Sequence, residues 1–107
     1  ETFLIDVFIA TDVFIYFGEI TPILCACRSR QESGGLLAFS VEALKVTSAL
    51  EHAGFKLTSS GRFQHEKNYV SASAQQAGYQ VITCTEDVLR REDGYDVLGY
   101  LFVLKAQ

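Results

Sequence analysis

Positive charge is scarce in this sequence and nowhere clustered. Nine Lys and Arg stand against thirteen Asp and Glu, a net charge of −4. The only adjacent basic pair, Arg90-Arg91, is followed at once by Glu92 and Asp93. Nonspecific nucleic-acid binding needs clustered cations to displace counterions from phosphates, so no nucleic-acid partner is expected. Thiol and imidazole metal ligands are few: Cys25, Cys27, Cys84, His52 and His65. Cys25-Ala26-Cys27 resembles a metal motif, but it falls in a segment that reads as helix. There a two-residue step is a rotation of roughly 200°, which turns the thiols apart. The thiols are read as small buried apolar groups, His52 is read as a surface residue, and no metal is expected. An odd number of cysteines points to reduced thiols and a cytoplasmic setting. The most apolar stretch, Phe3 to Phe17, contains Asp6 and Asp12 and is too short to cross a membrane. The chain opens on Glu1 rather than Met and enters that stretch almost at once, so residue 1 is not expected to be a natural domain start.

What is present is core material. Of 107 residues, 49% are apolar, with eight Phe and five Tyr. That suits one compact domain over residues 1–107. Phe3–Thr11 is rich in β-branched and aromatic residues and nearly continuous in its apolarity, the pattern of a strand covered on both faces in a parallel sheet. Thr21-Pro22 reads as a helix start, with Thr as cap and Pro in the first turn, and Ser33-Gly34-Gly35 as its stop. Leu36–Val41 reads as a second buried strand. Glu42–His52 has helical character, and Phe55–Thr58 that of a short strand. Glu66–Ala77 repeats apolar and small residues at three- and four-residue spacing, with Gly78 just beyond its end. Tyr79–Leu89 and Val97–Leu104 read as strands joined by a tight turn at Glu92-Asp93-Gly94. The last strand is the more apolar, so it belongs inside the sheet and Tyr79–Leu89 at the edge.

This order, β-α-β, an irregular insert, then α and a β-hairpin, resembles the C-terminal half of a class I S-adenosylmethionine-dependent methyltransferase. Ile9-Ala10-Thr11-Asp12-Val13-Phe14-Ile15-Tyr16-Phe17-Gly18 resembles the segment that closes the fourth strand of that fold. Ser33-Gly34-Gly35-Leu36-Leu37-Ala38-Phe39-Ser40 resembles its fifth strand and preceding turn, with Ser33 where Pro is usual. Gly61-Arg62-Phe63-Gln64-His65 with Tyr69, and Val88-Leu89-Arg90-Arg91-Glu92 with Gly94, are similar to the methyltransferase domains joined to tetratricopeptide repeats. The resemblance implies an α/β fold, a partial Rossmann-like three-layer sandwich. Its mixed sheet would hold about four strands in the family's order 4-5-7-6. It implies S-adenosylmethionine as cofactor, but only in a complete or reassembled domain. The family's glycine-rich first turn and the acidic residue ending its second strand have no counterpart here.

Five residues are candidates for the substrate side. Asp12 ends a parallel strand, where open α/β sheets place their ligands. It could bind an acceptor amine or hydroxyl or the methionine end of the cofactor, or cap its own turn. Tyr16 lies four residues on, lining a pocket or simply packed. Glu42 ends the second strand at the same edge, as a pocket residue or a solvated carboxylate. Arg62 and His65 fall in the segment that the resemblance assigns to the substrate region. His65 is the candidate base, with a helix-capping role as its plain alternative.

Three readings follow. The first is a methyltransferase fragment, inactive on its own for want of the cofactor-binding half. The second is a self-associating half-domain without activity, a homodimer through the open edge of Phe3–Thr11. The third is a degenerate nucleotide-binding α/β domain.

Overall fold

A computed structural model of the chain describes residues 4–45 and 54–107. The elements run β1 (Val7–Ala10), a 3-10 turn (Phe14–Tyr16), α1 (Thr21–Arg28), β2 (Leu36–Ala43), β3 (Phe55–Leu57), β4 (Phe63–His65), α2 (Lys67–Ala77), β5 (Tyr79–Glu92) and β6 (Tyr95–Ala106). They build one six-stranded mixed sheet. The expected order 4-5-7-6 is observed as β1-β2-β6-β5: β1 runs parallel to β2, while β6 is antiparallel to both β2 and β5. The hairpin β3–β4 was foreseen only in its first strand. Phe63–His65, read as leading straight into a helix, is instead a strand parallel to the end of β2, with Glu42 opposite Gln64 and Ala43 opposite His65. Three residues are too few to show a period of two in sequence.

β2 is the centre of the sheet. β6 occupies one edge from Leu36 to Glu42, and β1 and β4 share the other. The alternation of side chains across a strand sends Leu37, Phe39, Val41 and Ala43 to one face. There they meet Tyr100, Phe102 and Leu104 of β6, Leu24 of α1, and Val70 and Ala74 of α2. Phe39 lies between Phe14 (4.6 Å between ring centroids) and Phe102 (5.4 Å). Fully burying each such side chain contributes roughly 1.5–3 kcal/mol.

Both helices pack on this face. Thr21 is not the cap expected of it: Ile20 holds that position, and the Thr21 hydroxyl donates to Ser73 Oγ at 2.9 Å. The Ile20 amide donates to the Tyr69 hydroxyl at 3.1 Å, so α1 starts from a tertiary contact instead of a local one. α2 ends as predicted, on Gly78 in the left-handed region.

The opposite face carries no helix among the described residues, so two of the three expected layers are represented. Phe8 and Ala10 pack on the core, but Val7 and Ile9 are exposed, Ile9 by 74%. The expectation that this strand is covered on both faces is therefore corrected. The strand is also shorter than expected, four residues within Phe3–Thr11. Glu42 and Ala43 belong to β2, not to the helix read for Glu42–His52; residues 46–53, His52 among them, lie outside the described residues. No described helix is long and apolar enough to cross a membrane.

The β5–β6 hairpin is longer than the sequence suggested. Asp93 and Gly94 both take positive φ (50° and 81°), the two-residue turn whose twist matches paired strands. The ladder therefore closes at Glu92 opposite Tyr95. Leu89 is the extra residue of a bulge between Val88 and Arg90. Bulges bend a strand and re-aim its side chains; here Leu89 lies over Gly99. A Cβ on Gly99 would meet Leu89 Cδ1 at 2.3 Å and the Val41 carbonyl oxygen at 2.5 Å. Gly99→Ala is expected to lower unfolding stability by about 1–3 kcal/mol, read as a shift of the urea midpoint at unchanged slope.

Candidate functional site

The C-terminal ends of β1 and β2 open at one edge of the sheet, and the bulged end of β5 bends over them. Side-chain alternation that sends Val41 and Ala43 to the core points Ser40 and Glu42 the other way. Both are buried, Glu42 to 5% exposure. A carboxylate buried without a partner would be costly, and Glu42 has two. Its Oε2 accepts a hydrogen bond from Arg90 Nη2 at 2.5 Å and lies 3.1 Å from Arg62 Nε, a charge contact without hydrogen-bond geometry. Both guanidiniums also reach Glu92 Oε1: Arg90 through Nε at 2.8 Å, Arg62 through Nη2. Arg62, Glu42, Arg90 and Glu92 thus form a closed ring of alternating charge.

The ring joins three parts of the chain: the end of β2, the approach to β4, and the end of β5. The hydrogen bond from Arg90 holds the Glu92 carboxyl below the usual carboxylate range. Arg90, bonded to Glu92 and Glu42, keeps its proton more firmly than an ordinary guanidinium. A cavity of about 360 Å³ opens beside the ring, lined also by Thr58, Ser60 and Asp96.

Asp12 stands at the rim. Its φ of 54° places it in the left-handed region, which Asp tolerates better than most residues. Its amide makes a long 3.4 Å bond to Ser40 Oγ, and its carboxylate lies 3.4 Å from Arg90 Nη1. The Asp12 side chain remains 65% exposed. Of the sequence-derived candidates, Asp12, Glu42 and Arg62 are therefore brought together. Tyr16 is exposed in the 3-10 turn and is not part of the ring.

His65 is fully buried in β4, with Nε2 3.0 Å from the Gly18 carbonyl oxygen and Nδ1 without a partner. Burial lowers its pKa below 6.5, favouring the neutral ring. Its Nε2–H therefore donates to Gly18, fixing the segment that follows Tyr16. Cys25 is exposed and Cys27 and Cys84 are half-buried, not the buried groups expected.

Arg90 and Glu92 were seen in sequence only as parts of a hairpin. Residues nearly fifty positions from Glu42 carry no local signal of an ion pair, and the bulge that aims Arg90 comes from cross-strand register.

Several solved structures share this fold. An S-adenosylmethionine-dependent methyltransferase from Methanosarcina mazei superposes with a TM-score of 0.73 at 10% identity, over 99% of this chain and 62% of its own. One from Mesorhizobium loti gives 0.72 at 11% identity, over 98% and 63%. Magnesium protoporphyrin IX methyltransferase from Synechocystis, with bound S-adenosylhomocysteine, gives 0.67 at 15%, over 100% and 47%. The chain thus has the class I methyltransferase fold and spans about half to two thirds of these neighbours. Comparison with protein-family models and with curated proteins returns no match.

Among the described residues, no glycine-rich turn opens a helix. Gly34 has the positive φ of a tight turn, 96°. It precedes β2, however, at the end of the strand away from the Glu42 mouth. Neither it nor Gly35 opens a helix whose N-terminus could receive the cofactor.

Two outcomes test this geometry. Glu42→Gln should cost roughly 1–3 kcal/mol, because it leaves two partly buried guanidiniums short of an acceptor, and the loss should depend little on salt, since buried pairs are weakly screened. His65, whose native pKa is depressed, contributes stability that is complete above its ordinary pKa of 6.5 and falls away as pH drops toward the lowered native value. Chemical denaturation between pH 7.5 and 5 (roughly, the window set by that shift) should show a smaller acid loss in His65→Gln than in the parent chain.

Proposed function

We infer that this chain is the acceptor-side half of an S-adenosylmethionine-dependent methyltransferase and is not catalytically competent alone. The observation that carries the reading is the mouth itself: on a methyltransferase fold, Asp12, Glu42 and Arg62 meet where such sheets take their ligands. Methyl transfer to an acceptor depends chiefly on in-line positioning, since the sulfonium is already activated. In this reading Asp12, the exposed carboxylate, engages an acceptor amine or hydroxyl. Glu42, immobilised by two guanidiniums, shapes the wall behind it. Tyr16 covers the open side, and buried His65 supports the Gly18 backbone and takes no proton from the acceptor. The Gly61–His65 segment with Tyr69 favours the subtype joined to tetratricopeptide repeats.

The cofactor-binding half would come from polypeptide packed on the bare sheet face and β1 edge. Val7, Ile9, Leu36 and Leu101 form an apolar surface suited to such cover. One feature favours a second reading, self-association: among the described residues β1 pairs only with β2, which leaves its outer edge able to pair with a second copy.

Isothermal titration and sedimentation separate the two. The first reading predicts no saturable S-adenosylmethionine binding by this chain at millimolar ligand (roughly, the weakest range calorimetry resolves), and binding by a chain extended with a glycine-rich βαβ half. Tight binding by this chain alone would overturn it. A stable dimer, lost on Ile9→Lys, would establish the second.

A further inference from the structure

We propose that the groove between α1, β3 and α2 binds a small organic ammonium ion. This groove lies on the helix-covered side of the sheet and shares no lining residue with the mouth. Its volume is about 460 Å³, within the range of small-ligand sites. Phe55 and Tyr69 form adjoining walls, with ring centroids 5.5 Å apart and planes inclined at 57°.

Both rings are held in place. Phe55 rests on Gly18, where a Cβ would lie 2.5 Å from its ring. Tyr69 covers Gly54, where a Cβ would lie 2.3 Å from its ring, and its hydroxyl accepts the Ile20 amide. Such walls lose little freedom when a ligand arrives. The polar part of the lining is a hydroxyl pair, Thr21 and buried Ser73, with Gln76 and Glu19 exposed.

Glu19 is the one charged residue among the described lining, and it is negative. An aromatic corner with a single carboxylate selects a cation whose own surface is apolar. Aromatic quadrupoles attract positive charge, whereas a strongly hydrated inorganic ion would have to shed its water against apolar rings. Alkylated ammonium groups meet both demands. The inference is independent of methyl transfer at the mouth.

The test is an NMR titration of the isotope-labelled chain with choline, and with the uncharged alcohol in which carbon replaces the quaternary nitrogen. Saturable shifts at Glu19, Thr21, Phe55 and Tyr69 are expected, with the neutral analogue about tenfold weaker or more. Glu19→Gln, a surface change, should weaken choline binding about two- to fivefold with the melting temperature unchanged. Phe55→Leu should remove binding while the amide spectrum stays folded. Absence of saturable binding, equal affinity for the two probes, or shifts centred on Glu42 and Glu92 would each overturn the proposal. If Phe55→Leu fails to fold, the probe comparison and Glu19→Gln decide alone.

Discussion

Everything in this structure depends on β2 being paired along both edges while its two faces do different work. Seven residues of β6 close one edge, and β1 and β4 divide the other between them. Pairing along both edges is what lets a strand bury its side chains without leaving its amides orphaned. Leu37, Phe39 and Val41 build the core on one face, and Ser40 and Glu42 are delivered to the mouth on the other. A slip of one residue in register would exchange these sets, placing a carboxylate in the aromatic core.

Glu42 can occupy its position only because two arginines arrive from distant parts of the chain. The ring they complete with Glu92 is local neutralisation, in which every charge has neighbours of opposite sign. Such rings add modestly to net stability, since desolvation offsets much of the attraction. Their stronger effect is on placement. The ring ties the insert ending at β4 and the tip of the β5–β6 hairpin to the end of β2. The mouth is therefore shaped by three segments that would otherwise be joined only through the sheet. Asp12 shares in this through Arg90 but keeps its exposure, so the two carboxylates differ in freedom although they lie at the same edge.

The helix-covered and bare faces of the sheet pose opposite problems. On one, α1 and α2 bury the odd-numbered residues of β2 and leave an aromatic groove beside them. On the other, Val7, Ile9, Leu36 and Leu101 remain at the surface, an arrangement that apolar side chains at adjacent sheet positions do not favour in water. The methyltransferase neighbours match nearly the whole chain with a third to a half of their own length left over.

Most of the order of helices and strands was legible from the residues, because it rests on local rules. Apolar continuity marked β1 and β2, Gly78 the end of α2, and Asp93-Gly94 the hairpin, down to the edge position of β5. Asp12 and Glu42 were legible as ends of parallel strands. The sequence by itself thus determined the extended course of β1, β2, β5 and β6, the two helices, and the place of Asp12 and Glu42 at strand ends, since each follows from neighbours a few positions away. Only the tertiary structure decided that Phe63–His65 joins the sheet, that Thr21 bonds Ser73 instead of capping its helix, and that Arg62 and Arg90 close on Glu42. Those outcomes come from register, a bulge and contacts between residues tens of positions apart, none of which leaves a period in the chain.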